Sequence, residues 1–600
     1  MLALVWGASA AYVGSRLTRG WVPHDEGTLG ESAVRVQAGQ LPHRDYDEIY
    51  TGGLAYVDAL AFRVFGANLV APRIVLYLAF LVWVPAVFSI AARFAPPIGA
   101  GSLTLVAVAW SVPNYTAAMP SWFNLFAATI GTAAILRFIV TSRRRWLAAA
   151  GACAAASCLV KIVGAYFVAG VLLFLVFREQ EEAPAGDRGR AYGAAITLAL
   201  IAFVLVIVRL VWQRLGPREA AMFVAPGAAV AGLIVWREWT GRRAGGWARV
   251  ARLWRLGWPF LAGVALPIVV FLLPFARGGG LGDLWRGVFV TPLRRVTFAT
   301  QPLPALTAAS VTLLLAVLLG FAPRWNPAMR RQAAWGVAAV LLGAVVTGWY
   351  GPTYRAAWNS VRWLVPVAVL AGVGLLGTRA ASSLPSTKRQ QVMLLIAVAG
   401  VTSLVQFPFG APIYALYVAP LGLLAAAAVV TSLTWRPGAL APYAGPLLGF
   451  YLVFALRWVH PGFIYNFGNN YAPEAPTAAL AIDRGGLRIP PPDAALYEQL
   501  VTTVRAHARG VYGYATPDCP EVYFLTGLRN PTRTLFDFFD DSAGRTARIL
   551  EALVRDSVRV IVVNRAPGFS APPPPDLMAA LVARYPTATS ISRFDVRWRE

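Results

Sequence analysis

The residues best suited to chemistry lie in one short segment near the start of the chain. The segment from Gly20 to Gly53 follows an apolar run and holds two of the four histidines, together with Asp25, Glu26, Glu31, Asp45, Asp47 and Glu48. A carboxylate at the edge of a membrane is costly unless it faces water or performs a function. Such a group could act as a general base that removes a proton from an acceptor. The alternative is a hydrated loop with solvated acids, and composition alone favours that alternative.

The composition indicates a membrane protein. Of the 600 residues, 58% are hydrophobic and 14% are charged, with a mean hydropathy of +0.58, whereas soluble chains carry roughly 25% charged residues. The net charge of +25 comes almost entirely from arginine. These arginines lie mostly in short loops between apolar runs, which is typical of membrane orientation, so we expect no nucleic-acid partner.

Repeated apolar runs predict a polytopic α-helical membrane protein. A transmembrane helix needs about 20 apolar residues. The runs that approach this length are 2–18, 69–92, 98–113, 122–141, 146–161, 162–178, 192–212, 219–236, 256–275, 305–322, 333–350, 362–378, 391–406, 412–434 and 440–458. They predict about 13–15 transmembrane helices, because several runs are short.

The arginine-rich loops predict the orientation. If the runs alternate across the membrane from a cytoplasmic amino terminus, most arginine clusters, such as Arg143, Arg144 and Arg145, fall on the cytoplasmic side. This distribution follows the positive-inside rule. It places the outer loop 19–68 and the carboxyl-terminal tail outside, in a multi-pass protein of the plasma (inner) membrane. The first run lacks a basic start, so we expect a retained span rather than a cleaved signal.

The tail differs in composition from the rest of the chain. We therefore divide the chain into a transmembrane catalytic domain, 1–458, and a soluble extracytoplasmic α/β domain, 459–600. In the tail, "GVYGYA" and "VRVIVVN" predict strands, and "ALYEQLVTTVRAHA", "ARILEALVRDS" and "PDLMAALVARY" predict helices. The segment "TGLRNPTRTLFDFFDD" is expected to be a surface loop, with contact to the acidic segment or an acceptor as the alternative. The three cysteines show no disulfide or zinc pattern.

One stretch resembles a known family. The segment "PHDEGTLGESAVRVQAGQLPHRDYDEIYTGGLAYVDALAFRVFGANLVAPR" is similar to the first outer loop of the GT-C glycosyltransferases, in the branch of the protein O-mannosyltransferases and the lipid A aminoarabinose transferase. The shared features are an acidic pair after the first span, E-x-A-x-x-x-x-x-G, "LPHRDY", the turn "TGGLAY" and "FG…APR". The resemblance covers residues 20–75 and is looser beyond, where it rests on hydropathy and topology.

The resemblance implies a GT-C-like fold and a transfer reaction. A sugar would pass from a polyprenyl-phosphate-linked donor to an acceptor hydroxyl on the outer face, with the acceptor, a glycan, lipid or protein, left open. Asp25 matches the catalytic base of the family, and Glu26 would orient Asp25 or the acceptor. A single displacement would invert the anomeric centre. Arg44, Asp45 and Asp47 are candidate substrate contacts. With the resemblance included, we favour catalysis over a solvated loop.

Basic residues predicted on the outer side could contact the donor. Arg294 and Arg295 lie in one long outer loop, and Arg355 and Arg362 lie in another. Arginine suits phosphate oxygens and could neutralise a polyprenyl-phosphate leaving group. For each arginine the favoured alternative is unspecific contact with membrane lipids. Lys161 interrupts an apolar run, so it should contact a phosphate, a carboxylate or the interface.

The metal requirement and two rival functions stay open. Many relatives carry a second acid at the head of the fourth span, where this chain has Asn124, which is a poor metal ligand and no base. A divalent metal bridged by carboxylates is therefore disfavoured, although Asp45 or Asp47 could substitute, and no other cofactor is expected. The first rival is a transporter or flippase for a lipid-linked glycan, which predicts deep ionisable residues and paired broken helices. The second is a non-catalytic assembly protein.

Overall fold

The chain folds as a helical unit followed by a small α/β unit. The computed structural model describes residues 1–184, 186, 190–241, 246–293, 302–321, 324–433, 440–458, 475–537 and 540–600. The helices of the first unit are α1 (Leu2–Gly14), α2 (Pro23–Gln37), α3 (Gly53–Phe65), α4 (Val70–Ala91), α5 (Pro97–Ala109), α6 (Pro120–Thr141), α7 (Arg145–Val160), α8 (Ala165–Glu182), α9 (Arg190–Val211), α10 (Pro217–Glu219), α11 (Ala225–Thr240), α12 (Trp247–Arg277), α13 (Leu281–Trp285), α14 (Ala309–Phe321), α15 (Pro327–Val346), α16 (Gly351–Arg362), α17 (Leu364–Gly377), α18 (Ser386–Thr402), α19 (Pro412–Leu416), α20 (Ala419–Leu433) and α21 (Ala441–Trp458).

Each predicted apolar run coincides with a helix, which confirms the polytopic α-helical class. Within the described residues, six helices are long and apolar enough to cross a membrane. A seventh is gained if α15 and α16, bent by 119°, form one broken span. The predicted count of about 13–15 is higher because several runs fold as apolar helices of 10–17 residues.

Small residues let the apolar helices approach closely. A Cβ added to Gly151 of α7 would collide with the backbone of Phe260 in α12, and one added to Gly263 of α12 would collide with Ala148 in α7. Small residues at helix contacts are the usual means of close packing between membrane helices. Helices α7 and α12 therefore pack closely against each other, and α7 also packs against α6.

The predicted outer loop, 19–68, contains two helices, α2 in the acidic segment and α3 after it. Pro23 opens α2, where its missing N–H is harmless, and the two acids that follow it lie in the first turn, where carboxylates favour the helix dipole. Helix α3 is amphipathic: Leu54 and Phe62 are buried, while Leu60 and Val64 are exposed. An exposed apolar face of this kind is typical of a helix that lies in the membrane interface.

The tail is an α/β unit, as the sequence predicts. Its elements are β1 (Ala478–Ala479), β2 (Arg488–Ile489), α22 (Pro491–His507), β3 (Tyr514–Thr516), α23 (Pro520–Thr526), α24 (Arg545–Arg555), β4 (Val560–Asn564), α25 (Pro575–Arg584), β5 (Thr587–Ile591) and β6 (Phe594–Trp598). The main sheet has the order β3-β4-β6-β5. The predicted strands β3 and β4 pair in parallel, with Ala515 opposite Val562, and β6 pairs antiparallel with β4 and β5. Strands β5 and β6 were not predicted.

A buried ionic cluster lies at the far end of the helical unit, where α8 ends. Arg249 of α12 donates to Glu179 at 2.7 and 2.9 Å and to Glu238 at 2.6 and 2.9 Å. Gln180 donates to Glu238 at 2.9 Å. Buried charges of this kind are tolerated when each is paired and hydrogen-bonded. The cluster ties α8, α11 and α12 together, and sequence analysis did not find it because its members come from separate helices.

Candidate active site where the two units meet

Asp25 is a partly exposed carboxylate whose position is fixed by a tyrosine. It lies in the first turn of α2, and its side chain keeps 19% of its surface exposed. The hydroxyl of Tyr115 donates a hydrogen bond to Oδ2. Tyr115 is itself buried, and its carbonyl accepts from Nε1 of Trp122 at 2.9 Å. The segment between α5 and α6 thus anchors Oδ2 of Asp25 by a hydrogen bond, whereas Tyr115 does not hold Oδ1.

The neighbouring histidine connects Asp25 with the tail. Nε2 of His24 lies 3.7 Å from Oδ1 of Asp25, which is beyond hydrogen-bond distance. On its other side the imidazole meets Phe569 edge-on, with ring centres 4.7 Å apart, and Phe536 at 6.3 Å. Both phenylalanines belong to the tail, so the tail contributes side chains to the surroundings of His24, the residue before Asp25.

Glu26 faces away from Asp25 and is fully engaged. Its carboxylate accepts from Nε and Nη2 of Arg73 at 2.6 and 2.8 Å and from the backbone N–H of Val22 at 3.0 Å. Arg73 is completely buried and also donates to carbonyls of the segment that precedes α2, including that of Gly20 at 2.8 Å. Glu26 therefore fixes the start of α2 against α4, and in this arrangement it does not reach an acceptor.

The tail docks on α2 through two glycines. A Cβ on Gly27 would collide with the backbone of Glu521, and a Cβ on Gly30 would lie 2.6 Å from the ring of Phe524. Both partners belong to α23. Arg35, at the end of α2, donates to the carbonyls of Asn530 and Thr532 at 3.2 and 2.7 Å. The helix that carries Asp25 is therefore held along its length by the tail.

The predicted substrate contacts in the "HRDYDE" segment are occupied by other groups. Arg44 donates to both oxygens of Asp45 at 2.8 Å, and this hydrogen bonding holds the pKa of Asp45 below its usual value. Asp47 pairs with Arg533 of the tail: its N–H donates to the Arg533 carbonyl at 2.9 Å, and Arg533 Nη2 lies 3.4 Å from Oδ1. Arg533 also donates to the carbonyl of His43 at 2.8 Å.

The expectation of a surface loop at "TGLRNPTRTLFDFFDD" is therefore wrong, within the part of it that the structure describes. Its backbone pairs with the "HRDYDE" segment, and Phe536 is 5% exposed. The alternative, contact with the acidic segment, is what the structure shows. Polar groups of the loop are used for docking, because the carbonyls of Asn530 and Thr532 accept from Arg35 of α2. The side chain of Asn530 organises the turn by donating to the carbonyl of Thr534 at 2.8 Å.

Lys161 lies at the same end of the helical unit as Asp25. It follows α7 in extended backbone, and its ammonium donates to Oγ of Ser121 at 3.0 Å. The ammonium also lies 5.5 and 5.6 Å from the ring centres of Tyr50 and Tyr414, within range of a cation–π interaction. The contacts of the ammonium that the structure shows are therefore with a hydroxyl and two aromatic faces, and a phosphate as partner stays a prediction.

A small aromatic cluster joins the surroundings of Asp25 to those of Lys161. Ile49 and Phe536 are buried together, and Tyr50 and Phe569 pack against them. Phe569 contacts His24 beside Asp25, while the Tyr50 ring faces Lys161. Asp25, the candidate base, and Lys161, the candidate phosphate contact, therefore lie near the same aromatic cluster, to which both units contribute residues.

Of the four remaining predicted arginines, the structure describes Arg355 and Arg362. Arg355 is exposed, and Nη2 of Arg362 donates to the carbonyl of Gly410 at 2.5 Å. Arg294 and Arg295 lie outside the described residues.

The chain shows no preformed metal centre in its described part, where no three His, Cys, Asp or Glu side chains lie together as ligands would. Asn124 donates to Ser157 Oγ at 2.6 Å and to its carbonyl at 2.8 Å, so it ties α6 to α7 beside Lys161. Asp45 and Asp47, the candidate substitutes, are each paired with an arginine.

Comparison with known proteins gives a likeness to solved structures only. No protein-family model and no curated protein matches the chain. ArnT from Cupriavidus metallidurans bound to undecaprenyl phosphate is 15% identical with a TM-score of 0.35, over 99% of this chain and 96% of that one. The oligosaccharyltransferase AglB from Archaeoglobus fulgidus, in complex with an inhibitory peptide and a dolichol-phosphate, is 10% identical with a TM-score of 0.42, over 94% and 69%. At such identities and TM-scores these likenesses carry no argument about function.

Proposed function

We propose that this protein is an integral-membrane glycosyltransferase that uses a polyprenyl-phosphate-linked sugar as donor and a hydroxyl as acceptor, on the outer face of the plasma (inner) membrane. The observation that carries the proposal is the state of Asp25. It is a partly exposed carboxylate at a helix start, anchored through Oδ2 by Tyr115, with Oδ1 outside hydrogen-bond distance of His24. An immobilised carboxylate with one oxygen available is what a general base requires.

The reaction would be a single displacement at the anomeric carbon. Asp25 accepts the proton of the acceptor hydroxyl while the acceptor oxygen forms its bond to the anomeric carbon. The bond from that carbon to the phosphate oxygen breaks, and its electron pair leaves with the polyprenyl phosphate. Attack from the face opposite the leaving group inverts the centre, because retention would need a second, nucleophilic carboxylate about 5 Å away. Glu26 does not meet that need, since Arg73 holds it.

Lys161 is the group we propose to stabilise the leaving phosphate. Its ammonium lies beside the Ser121 hydroxyl and the ring faces of Tyr50 and Tyr414, at the end of the helical unit where Asp25 lies, and a cation at this place would neutralise the charge of a departing phosphate. Arg294, Arg295, Arg355 and Arg362 are secondary proposals for the same headgroup. Glu26 supports Asp25 indirectly by fixing α2. Asp47 and the carbonyl of Arg44 contact Arg533 of the tail, and Asp45 pairs with Arg44. We therefore propose these three residues as supports of the site rather than as direct contacts.

Asp25→Asn tests the proposal. Purified protein in nanodiscs is incubated with a panel of undecaprenyl-phosphate-linked hexoses and pentoses and a membrane extract as acceptor source, and released undecaprenyl phosphate is measured. We expect transfer by the variant to fall by about 10²–10⁴-fold, the usual contribution of a general base. The matched control is Asp483→Asn, which removes a carboxylate that is 87% exposed on the tail and should leave the rate unchanged.

The same assay separates the rivals. Undiminished release by Asp25→Asn would remove Asp25 from the role of base. Movement of intact lipid-linked sugar across proteoliposomes, without cleavage of the sugar–phosphate bond, would replace the transferase by a flippase. The bent pair of α15 and α16 is a feature that a flippase would also have, so both measurements are made on the same preparation.

A further inference from the structure

The imidazole of His24 is held between the candidate base and the tail. Its Nε2 is buried, lies 3.7 Å from Asp25 Oδ1 and has no hydrogen-bond partner among the residues that the structure describes. The ring is therefore not fixed by hydrogen bonding at that atom. The contact that limits its position is the edge-on packing of Phe569 at 4.7 Å, with Phe536 behind it.

Phe569 is itself positioned by the ends of two parallel strands. Its N–H and that of Ser570 donate to Oδ2 of Asp518 at 2.9 and 2.5 Å, and the Ser570 hydroxyl donates to Oδ1 at 2.6 Å. Asp518 follows β3, and the loop that carries Phe569 follows β4. The N–H of Asp518 donates to Asp537 at 3.0 Å. The carboxylate of Asp518 thus pins the Phe569 loop, and the sheet of the tail sets where the ring points.

Docking of the tail does not depend on this contact. The interface between α2 and α23 is formed by Gly27 and Gly30, and Arg35 adds hydrogen bonds to two carbonyls. The cluster around Phe569 is small by comparison and Phe569 is only half-buried. Loss of the Phe569 ring should therefore free His24 while the two units stay together.

We propose that Phe569 is a positioning residue for the transfer reaction: through His24 it fixes the carboxylate of Asp25, so that the tail completes the active site. The proposal rests on the proposed function, since it assigns to the tail a share in placing the base. Tyr115 holds Oδ2 of Asp25, and the imidazole of His24, which is backed by Phe569 of the tail, lies 3.7 Å from Oδ1 and limits the movement of the carboxylate on that side. A base confined from two sides needs both units, because displacement by about 1 Å can cost 10²-fold in rate.

The test compares Phe569→Ala, Phe569→Tyr and Trp598→Ala with wild type in the full-length protein. Trp598 is the matched control, because it is an aromatic residue of the tail that also contacts a histidine: it stacks on His507, which lies in the tail, with ring centres 3.7 Å apart. Transfer from the undecaprenyl-phosphate-linked sugar that the wild type uses is measured as kcat and KM, and amide hydrogen exchange reports docking at α2 and α23. We expect Phe569→Ala to lower kcat by about 10–100-fold with the donor KM unchanged, Phe569→Tyr to restore it, and exchange to stay as in wild type.

Two results would overturn the inference. Wild-type kcat for Phe569→Ala, with Asp25→Asn inactive, would show that the tail does not position the base and would leave the proposed function standing. A loss of kcat that Trp598→Ala matches, or that is accompanied by faster exchange in α2, would assign the effect to folding or docking. Full activity of Asp25→Asn would instead reject the proposed function, so the two failures are distinct.

Discussion

Two adjacent acids, Asp25 and Glu26, have different surroundings because their side chains leave α2 in different directions. Asp25 keeps part of its surface exposed and is held by one tyrosine hydroxyl. Glu26 is 5% exposed and shares a two-pronged ion pair with the fully buried Arg73. At the residue scale the pair therefore separates into a group that can accept a proton from a substrate and a group that holds the first group's helix in place.

Glu26→Gln should destabilise the protein far more than it alters the chemistry. Removing one partner of a buried ion pair leaves an uncompensated charge, here that of Arg73, at a cost of about 3–5 kcal/mol. The unfolding of purified variants in detergent, followed by denaturant titration, measures this cost. Asp483→Asn, in a pair with 40% and 87% exposed side chains, should cost less than about 1 kcal/mol. A stable but inactive Glu26→Gln would instead place Glu26 among the reacting groups.

The two acids could be predicted as site residues from the sequence, but the residues that bind their carboxylates could not. Asp25 could be predicted because an acidic pair after a first span carries the family resemblance. Its anchor, Tyr115, is 90 positions away, and Arg73 is 47 positions from Glu26. Neither spacing has a local pattern, because both contacts are made when separate helices pack. For the same reason Lys161 was found as a costly charge, while its contact with Tyr414 was not.

At the scale of elements, the tail sheet shows which strands can be predicted from a local sequence pattern. Strand β4 is a continuous β-branched run that is buried throughout, which is typical of a strand with neighbours on both sides. Strands β5 and β6 are joined through Ser592, at φ 50°, and Arg593. Tight hairpins are usually recognised in a sequence by Asn-Gly or Gly at the two turn positions. This one has neither, so the hairpin was not predicted.

Helix α23 carries a buried acid, Glu521, from which we predict a pH dependence of docking. Burial raises the pKa of Glu521 to about 7 from an ordinary value of 4.5, against the opposing influence of Arg593. Tyr497 donates to Glu521 at 3.1 Å and accepts from Arg593 at 2.8 Å. Because the folded state holds the proton more tightly than the unfolded state, this group favours folding fully below pH 4.5 and loses that contribution as pH rises through about 7.

We therefore expect α23 to be held more firmly on α2 at pH 5.5 than at pH 8, with a difference of about 2 kcal/mol. Amide hydrogen exchange at α23, corrected for the intrinsic effect of pH, measures the difference. Glu521→Gln cannot ionise and should show the same protection at both values. If Glu521→Gln and the wild type lose protection equally between pH 5.5 and 8, another group causes the pH dependence.

At the scale of the whole molecule, two charged centres mark opposite ends of the helical unit. Helix α8 begins next to Lys161, at the end where Asp25 and the tail lie, and ends in the cluster of Glu179, Glu238 and Arg249. Helix α6 likewise runs from the end near Tyr115 to the arginine-rich turn at Arg144. Contacts with α2 place the tail and the acidic segment at the same end, whatever the orientation of the bundle in the membrane.

The orientation itself can be tested with two cysteines in a variant whose native Cys153, Cys158 and Cys519 are replaced by serine. Val511 is 56% exposed on the tail, and Arg144 is exposed at the opposite end. The positive-inside rule places the Arg144 end in the cytoplasm. A membrane-impermeant maleimide should therefore label Val511→Cys in spheroplasts, and Arg144→Cys only after permeabilisation. The reverse result would turn Asp25 toward the cytoplasm and reject an outer-face transferase, whereas labelling of both without permeabilisation would contradict the separation of the two ends by a membrane.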